Sequence, residues 1–141
     1  MNPAFAVAAA AAFVWLGMVL AISFVETPLK FRAPGVTLAI GLGIGRLVFR
    51  ALNGCEVVLA AAMLTCLVIR PPGVAVGVAA AVSVVALLVQ MLAVRPALAR
   101  RSDATLAGAE VPRSRAHWFY VGLEIVKVVA LLITGVLILA A

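Results

Sequence analysis

The chain has 141 residues, of which 67% are hydrophobic and 11% are charged. Soluble domains average about 45–50% apolar and about 25% charged residues, so this composition excludes soluble enzymes, nucleic-acid-binding modules, disulfide scaffolds and disordered regulators. The net charge of +6 is interpreted as the excess of Lys and Arg that membrane proteins keep in cytoplasmic loops. Membrane lipids are therefore the expected partners, and nucleic acid is not.

Four segments are long and apolar enough to cross about 30 Å of hydrocarbon, and each predicts a transmembrane helix. Their approximate bounds are 4–25, 51–69, 72–94 and 118–140. The first segment is preceded by no basic residue, and the charges of Glu26, Lys30 and Arg32 all follow it. This pattern favours a retained helix with its N-terminus outside over a cleaved signal peptide.

The loop charges predict the orientation. One basic residue, Arg70, lies in the short turn at 70–73, and nine lie in the two long connections. The nine are Lys30, Arg32, Arg46, Arg50, Arg95, Arg100, Arg101, Arg113 and Arg115. By the positive-inside rule, both long connections are cytoplasmic and both termini are outside. The sequence thus predicts a multi-pass protein of the cell membrane, all-α, with one transmembrane domain over residues 1–141.

A shift of 68 residues aligns the chain with itself. It places Pro28 on Pro96 and Glu56 on Glu124, and it also aligns a shared Thr-Leu-Ala sequence. We interpret this as a duplication into repeats at 1–70 and 71–141, with a short interfacial segment in each, at 36–45 and 104–112. The predicted fold is an antiparallel four-transmembrane-helix bundle, built from two parallel helical-hairpin repeats.

Ionisable residues inside a span are expensive and are candidates for function. In the fourth span, His117, Tyr120, Glu124 and Lys127 fall within an arc of about 80° at 100° per residue. The aligned Glu56 lies about 9 Å below the cytoplasmic end of its span, measured from Arg50, and Glu124 lies at a matching depth. We therefore expect the two carboxylates to lie at one level of the bundle, where Lys127 can pair with Glu124.

The second span places Arg46, Asn53 and Glu56 within a similar arc, with Arg50 at its edge. Gln90 in the third span lies near the same end. The predicted substrate- or ion-binding residues are Glu56, Glu124, Lys127, Arg46, Arg50 and Asn53. A purely structural alternative is that these charges join the helices or extend to lipid phosphates.

Neither a metal site nor a cofactor is predicted, because no His or Cys spacing typical of metal ligation occurs. Cys55 and Cys66 are about 16 Å apart along a helix, too far for a disulfide with each other. We expect both to be buried structural thiols.

The first half of the chain resembles a set of small four-span bacterial integral membrane proteins. The resemblance is carried by Trp15-Leu16-Gly17, by Phe24 with Pro28-Leu29-Lys30-Phe31, and by Gly45-Arg46-Leu47-Val48-Phe49-Arg50. The resemblance covers about 50 residues of the chain and implies four transmembrane spans. It implies no chemistry, since that family is of uncharacterised function.

Three functions are consistent with these patterns. The first is a proton- or cation-coupled carrier of a small solute or lipid headgroup, acting as a homodimer. In it, Glu56 and Glu124 exchange the proton or cation, and Lys127 is their counter-charge. Arg46 and Arg50 form a cytoplasmic gate for anions or headgroups. The second is a membrane enzyme doing acid–base chemistry on a lipophilic substrate, with Glu56, Glu124, His117 and Tyr120 as candidate catalytic residues. The third is an accessory subunit of a larger membrane complex.

Overall fold

The computed structural model describes residues 1–108 and 115–141. Within these residues the protein consists of helices and turns without strands, and four helices are long and apolar enough to cross a membrane. They are α1 (Pro3–Lys30), α2 (Leu38–Ile69), α3 (Val74–Leu106) and α4 (Arg115–Ala140). The all-helical class and the number of long apolar helices are thereby confirmed. Arg113 and the last part of the predicted segment at 104–112 lie outside the described residues.

The helices α1 and α3 each contain a π-helical turn just before a proline. In α1 the turn covers Leu20–Glu26, and in α3 it covers Gln90–Val94. Pro28 and Pro96 have no N–H to donate and crowd the preceding turn, so a regular α-helix is disfavoured there. The widened turn accommodates this, and in both helices the residue before the proline donates its N–H to the carbonyl five residues back.

The helix α2 begins earlier than the sequence predicts. Thr37 caps it, because its side chain accepts a hydrogen bond from the Ile40 N–H, and the helix then continues for 32 residues to Ile69. The prediction of a separate interfacial segment at 36–45 is wrong. Gly41 and Gly45 lie inside this helix, where their missing side chains leave room for Phe31, just after α1, and for Lys30 at the end of α1.

The other helix ends follow from ordinary capping chemistry. Asn2 caps α1 by accepting from the Ala4 N–H at 2.8 Å, and Pro3 fits the first helical position. Two consecutive prolines separate α2 from α3 in the turn at 70–73. Gly108 follows α3 with a φ of 92°, a left-handed conformation that favours glycine at a helix C-terminus.

The helix α1 is central to the packing. It packs along both α2 and α4, and α3 packs along α4, whereas α2 and α3 touch only over a short stretch. Small residues of α1, such as Ala8 and Ala12, are fully buried and let the helices approach closely. The apolar core contains Trp15, Met63 and Leu131, and the outward faces carry the exposed apolar side chains that a lipid environment requires.

Candidate functional site

Lys127 lies at the centre of the described polar interior. Its Nζ is 2.5 Å from Glu56 Oε2, 2.6 Å from Glu124 Oε1 and 2.7 Å from Gln90 Oε1. Glu56 and Gln90 accept hydrogen bonds from the ammonium, and Glu124 forms an ion pair with it, so α2, α3 and α4 each contribute one partner. The side chain of Lys127 is fully buried, which a charged lysine tolerates only with partners of this kind.

The helix α1 supplies two further donors. Trp15 Nε1 donates to Glu56 Oε2 at 2.7 Å, and Ser23 Oγ donates to Glu124 Oε2. Ser23 lies in the π-helical turn of α1, so the local irregularity of that helix positions a residue of the site. All four helices therefore contribute to one set of hydrogen bonds.

Gln90 forms hydrogen bonds with two charged residues of α4, Glu124 and Lys127. Its Nε2 donates to Glu124 Oε1 at 3.0 Å and to the Tyr120 carbonyl at 3.3 Å, while its Oε1 accepts from Lys127. Glu56, Gln90 and Glu124 are each at most 2% exposed. We call these residues the buried polar cluster; its members are Trp15, Ser23, Glu56, Gln90, Glu124 and Lys127.

The buried polar cluster contains two carboxylates and one ammonium. Glu56 Oε1 is buried and has no hydrogen-bond partner among the residues that the structure describes. Both a net charge and an unpaired carboxylate oxygen cost free energy in an apolar interior. A proton or a bound cation at this position would remove the net charge.

A second layer lies between this cluster and the end of the helices that carries Lys30, Arg46 and Arg100, which we call the basic end. The Arg95 guanidinium lies 4.8 Å from the ring centroid of Phe49 and 5.0 Å from that of Tyr120. Its Nη2 donates to the Tyr120 hydroxyl at 3.1 Å, and the two rings meet edge to face at 5.9 Å. We call these three residues the arginine layer.

The structure brings together three of the residues that the sequence singles out. Glu56, Glu124 and Lys127 meet directly. Tyr120 is buried one turn away, where its carbonyl contacts Gln90. His117 is half-buried nearer the start of α4, and its ring packs against that of Trp118 at 5.4 Å.

The other predicted residues of α2 lie elsewhere. Arg46 is exposed at the basic end, where it forms an ion pair with Asp103 and donates to the Ala99 carbonyl at 3.4 Å. Arg50 is exposed and Asn53 is half-buried. In the described part of the chain, the hydrogen bonds of the buried polar cluster involve none of these three α2 residues.

The sequence patterns did not predict three residues of the site, namely Trp15, Ser23 and Arg95. A tryptophan in the middle of a span is a usable signal, because this residue prefers the membrane interface.

The prediction that Cys55 is buried is wrong, because its side chain is exposed on the outer surface. Both Cys55 and Cys66 are free thiols. A position on an outward helix face explains the exposure of Cys55, since in lipid the apolar exterior accepts a thiol as readily as the core does.

The surface between α1 and α2 has a shallow apolar hollow of about 510 Å³. Its lining contains no member of the buried polar cluster: Val14, Met18, Ala51, Gly54, Cys55, Val58 and Leu59. Among the described residues there is no group of three or more His, Cys, Asp and Glu side chains that could hold a metal ion.

Comparison with models of protein families, with curated proteins and with solved structures gives no significant match.

Proposed function

We propose that the protein is a proton-coupled membrane carrier of a small solute or a lipid headgroup, and that Glu56 holds the exchanged proton. The observation that carries this proposal is Glu56 Oε1, a buried oxygen without a hydrogen-bond partner among the described residues. With all groups ionised, Glu56, Glu124 and Lys127 sum to a charge of −1 inside an apolar protein. A proton on one carboxylate removes that charge, and such a group can load and release it.

A proton suits the site better than a metal cation. Hard cations bind through several oxygen ligands at once. Glu56 Oε2, both oxygens of Glu124 and the oxygen of Gln90 already accept N–H or O–H hydrogen bonds. The ammonium of Lys127 lies among them and repels a second cation.

The proposed carrier is an antiparallel bundle with its basic end in the cytoplasm and both termini outside. The order of contacts between α3 and α4 supports the antiparallel arrangement. Gln90 contacts Lys127, whereas Arg95, further along α3, contacts Tyr120, which comes earlier in α4. The sidedness follows from the nine basic residues of the long connections.

We also propose that the two hairpins descend from one repeat. In support, the shift of 68 residues that aligns Pro28 with Pro96 carries the π-helical turn Leu20–Glu26 onto positions 88–94, which overlap the second turn, Gln90–Val94. The aligned Glu56 and Glu124 bind the same ammonium. The packing departs from exact two-fold symmetry, because α1 packs closely on α4 whereas α2 barely touches α3.

An accessory or structural role is the second candidate, and one specific observation favours it. Lys127 contacts both carboxylates directly, at 2.5 and 2.6 Å, as expected of a polar network that joins helices. The enzyme alternative gains no such support. Glu56 and Glu124 are 0% and 1% exposed, so a substrate has no access to either carboxylate in this conformation.

Proton movement in liposomes tests the carrier proposal. The protein is reconstituted into liposomes loaded with the pH-sensitive dye pyranine, small carboxylates, amines and phosphate-bearing lipid headgroups are supplied outside one at a time, and a potassium diffusion potential set with valinomycin drives protons inward. We expect the wild type to acidify the lumen, and Glu56→Gln and Glu124→Gln to fall to the rate of protein-free liposomes. Glu26→Gln is the matched control, because Glu26 pairs with Lys30 outside the buried polar cluster.

Two results would contradict the proposal: undiminished proton movement in both variants, or a wild type no faster than protein-free liposomes. The second result favours the structural role.

Four helices enclose little volume, so we further propose a homodimer as the transporting unit. Light scattering of the purified protein in detergent measures its oligomeric state. We also propose kinship with the small four-span bacterial membrane proteins that the first half of the chain resembles.

A further inference from the structure

The arginine layer lies between the basic end and the buried polar cluster. Tyr120 lies one turn before Glu124 on α4, Phe49 two turns before Glu56 on α2, and Arg95 five residues beyond Gln90 on α3. At 1.5 Å per residue these offsets are about 6, 10.5 and 7.5 Å, all toward the basic end. A proton or solute that approaches from that end reaches Arg95 before it reaches Glu124.

The contacts that hold Arg95 are of a kind that can be exchanged. The guanidinium rests between two aromatic rings and donates to one hydroxyl. Its Nε is buried without a hydrogen-bond partner among the described residues. Stacking on rings is weaker than a buried ion pair with a carboxylate, so Arg95 can leave this position more easily than Lys127 can leave its two carboxylates.

The charge of Arg95 also matters for a cation path. The guanidinium is always protonated and presents one positive charge in front of a cluster whose ionised form carries −1. The guanidinium partly offsets the negative charge of the cluster, from which Tyr120 separates it. It also repels cations that enter from the basic end. A fixed arginine excludes protons from membrane pores in the same way.

We infer that Arg95 is the gate at the basic end: with its guanidinium between Phe49 and Tyr120 the buried polar cluster is closed to water, and its withdrawal opens Glu124 to that side. This inference rests on the proposed carrier function and assigns its gating residue. Arg95 acts as a positioning and gating residue, and it does not itself exchange the proton. The exposed Arg46 and Arg50, which the sequence favours as a gate, do not belong to the layer.

Chemical access to Glu124 tests the gate without measuring transport. Membrane vesicles that expose the basic end are treated with a water-soluble carbodiimide and glycine ethyl ester, and labelled carboxylates are located by mass spectrometry. In the wild type we expect labelling of Asp103, whose side chain is 63% exposed, and none of Glu124. In Arg95→Ala we expect labelling of Glu124 to approach that of Asp103.

Three further variants keep the test decisive. Phe49→Leu removes one wall of the arginine layer without changing any charge, so it should also expose Glu124 and replaces Arg95→Ala if that variant misfolds. Arg100→Ala is the matched control, because it removes an exposed arginine from the same helix, and should label like the wild type. Arg95→Lys restores the positive charge and is expected to label less than Arg95→Ala.

The inference is overturned if Arg95→Ala and Phe49→Leu, both folded by circular dichroism, label Glu124 no more than Arg100→Ala does. Labelling of Glu124 in the wild type at the level of Asp103 overturns it as well. Failure of the carrier proposal gives a different result, namely unchanged proton movement in Glu56→Gln and Glu124→Gln, while the labelling pattern can still hold.

Discussion

Lys127 donates to Glu56 across the protein interior, with 2.5 Å between Nζ and Oε2 and 71 residues between them in sequence. The contact joins α4 to α2, both of which pack along α1. Because Lys127 binds Glu124 on its own helix as well, one ammonium fixes the relative positions of two helices. Such a contact can both hold the two helices together and change the free energy of protonating Glu56.

Replacing Lys127 by methionine should destabilise the protein strongly. Methionine keeps the volume but leaves two buried carboxylates without their ammonium, and breaking a buried ion pair from one side costs about 3–5 kcal/mol. We expect a loss of that size in the free energy of unfolding, measured by circular dichroism in dodecyl maltoside with increasing dodecyl sulfate. A loss below about 1 kcal/mol would show that the carboxylates are already neutral in the wild type.

The variant with Lys127→Met and Glu56→Gln together should lose less stability than the two single variants combined. Neutralising one carboxylate removes part of the repulsion that the lost ammonium leaves behind. The two residues are in direct contact, so their effects should be non-additive in a double-mutant cycle. Additive losses would contradict a direct link between Lys127 and Glu56.

The two tryptophans should report on opposite environments. Trp15 is 0% exposed and donates to Glu56, whereas Trp118 is 62% exposed. In Trp118→Phe, the remaining emission should be short in wavelength and resist quenching by acrylamide. In Trp15→Phe, emission should be accessible to quenchers, and the free energy of unfolding should fall by about 1–3 kcal/mol, because a Glu56 oxygen loses a donor. Equal quenching in both variants would place Trp15 outside the core.

The charged centre of the site could be predicted from the sequence with elementary geometry. Helical periodicity puts Glu124 and Lys127 on one face, and the shift of 68 residues pairs Glu124 with Glu56. These relations depend only on positions along a regular helix, and the structure keeps α2 and α4 regular through this region.

The partners of these charges depend on packing that the sequence does not display. Ser23 and Gln90 lie in π-helical turns, where an extra residue per turn rotates the face that a regular helix would present. Arg46 fails to join the site because α3 continues to Leu106 and brings Asp103 within reach. Helical periodicity places residues on a face but does not tell which neighbouring helix meets that face.

Removing the ion pair between Arg46 and Asp103 should change stability little. The side chains are 40% and 63% exposed, so solvent screens the pair. Exposed pairs contribute about 0–1 kcal/mol, and we expect Asp103→Asn to lie in that range in the same unfolding assay. A loss as large as that of Lys127→Met would mean that the basic end is packed more tightly than this exposure indicates.

Two glycines of α4 should respond in opposite ways to alanine. A Cβ at Gly135 would lie 2.5 Å from Cζ of Phe13, whereas a Cβ at Gly122 would meet no atom within 4 Å. Overpacking costs about 1–3 kcal/mol, while alanine in place of an unhindered helical glycine gains up to about 1 kcal/mol. Gly135→Ala should therefore lower the free energy of unfolding, and Gly122→Ala should leave it unchanged or raise it.

The contact with Phe13 can be checked in the same series. Phe13→Leu shortens the side chain that faces Gly135, so combining it with Gly135→Ala should recover part of the lost stability. Leucine alone leaves unfilled space and should cost stability by itself. If the double variant is as unstable as the two losses added together, Phe13 is not what limits the approach of α1 to α4 at Gly135.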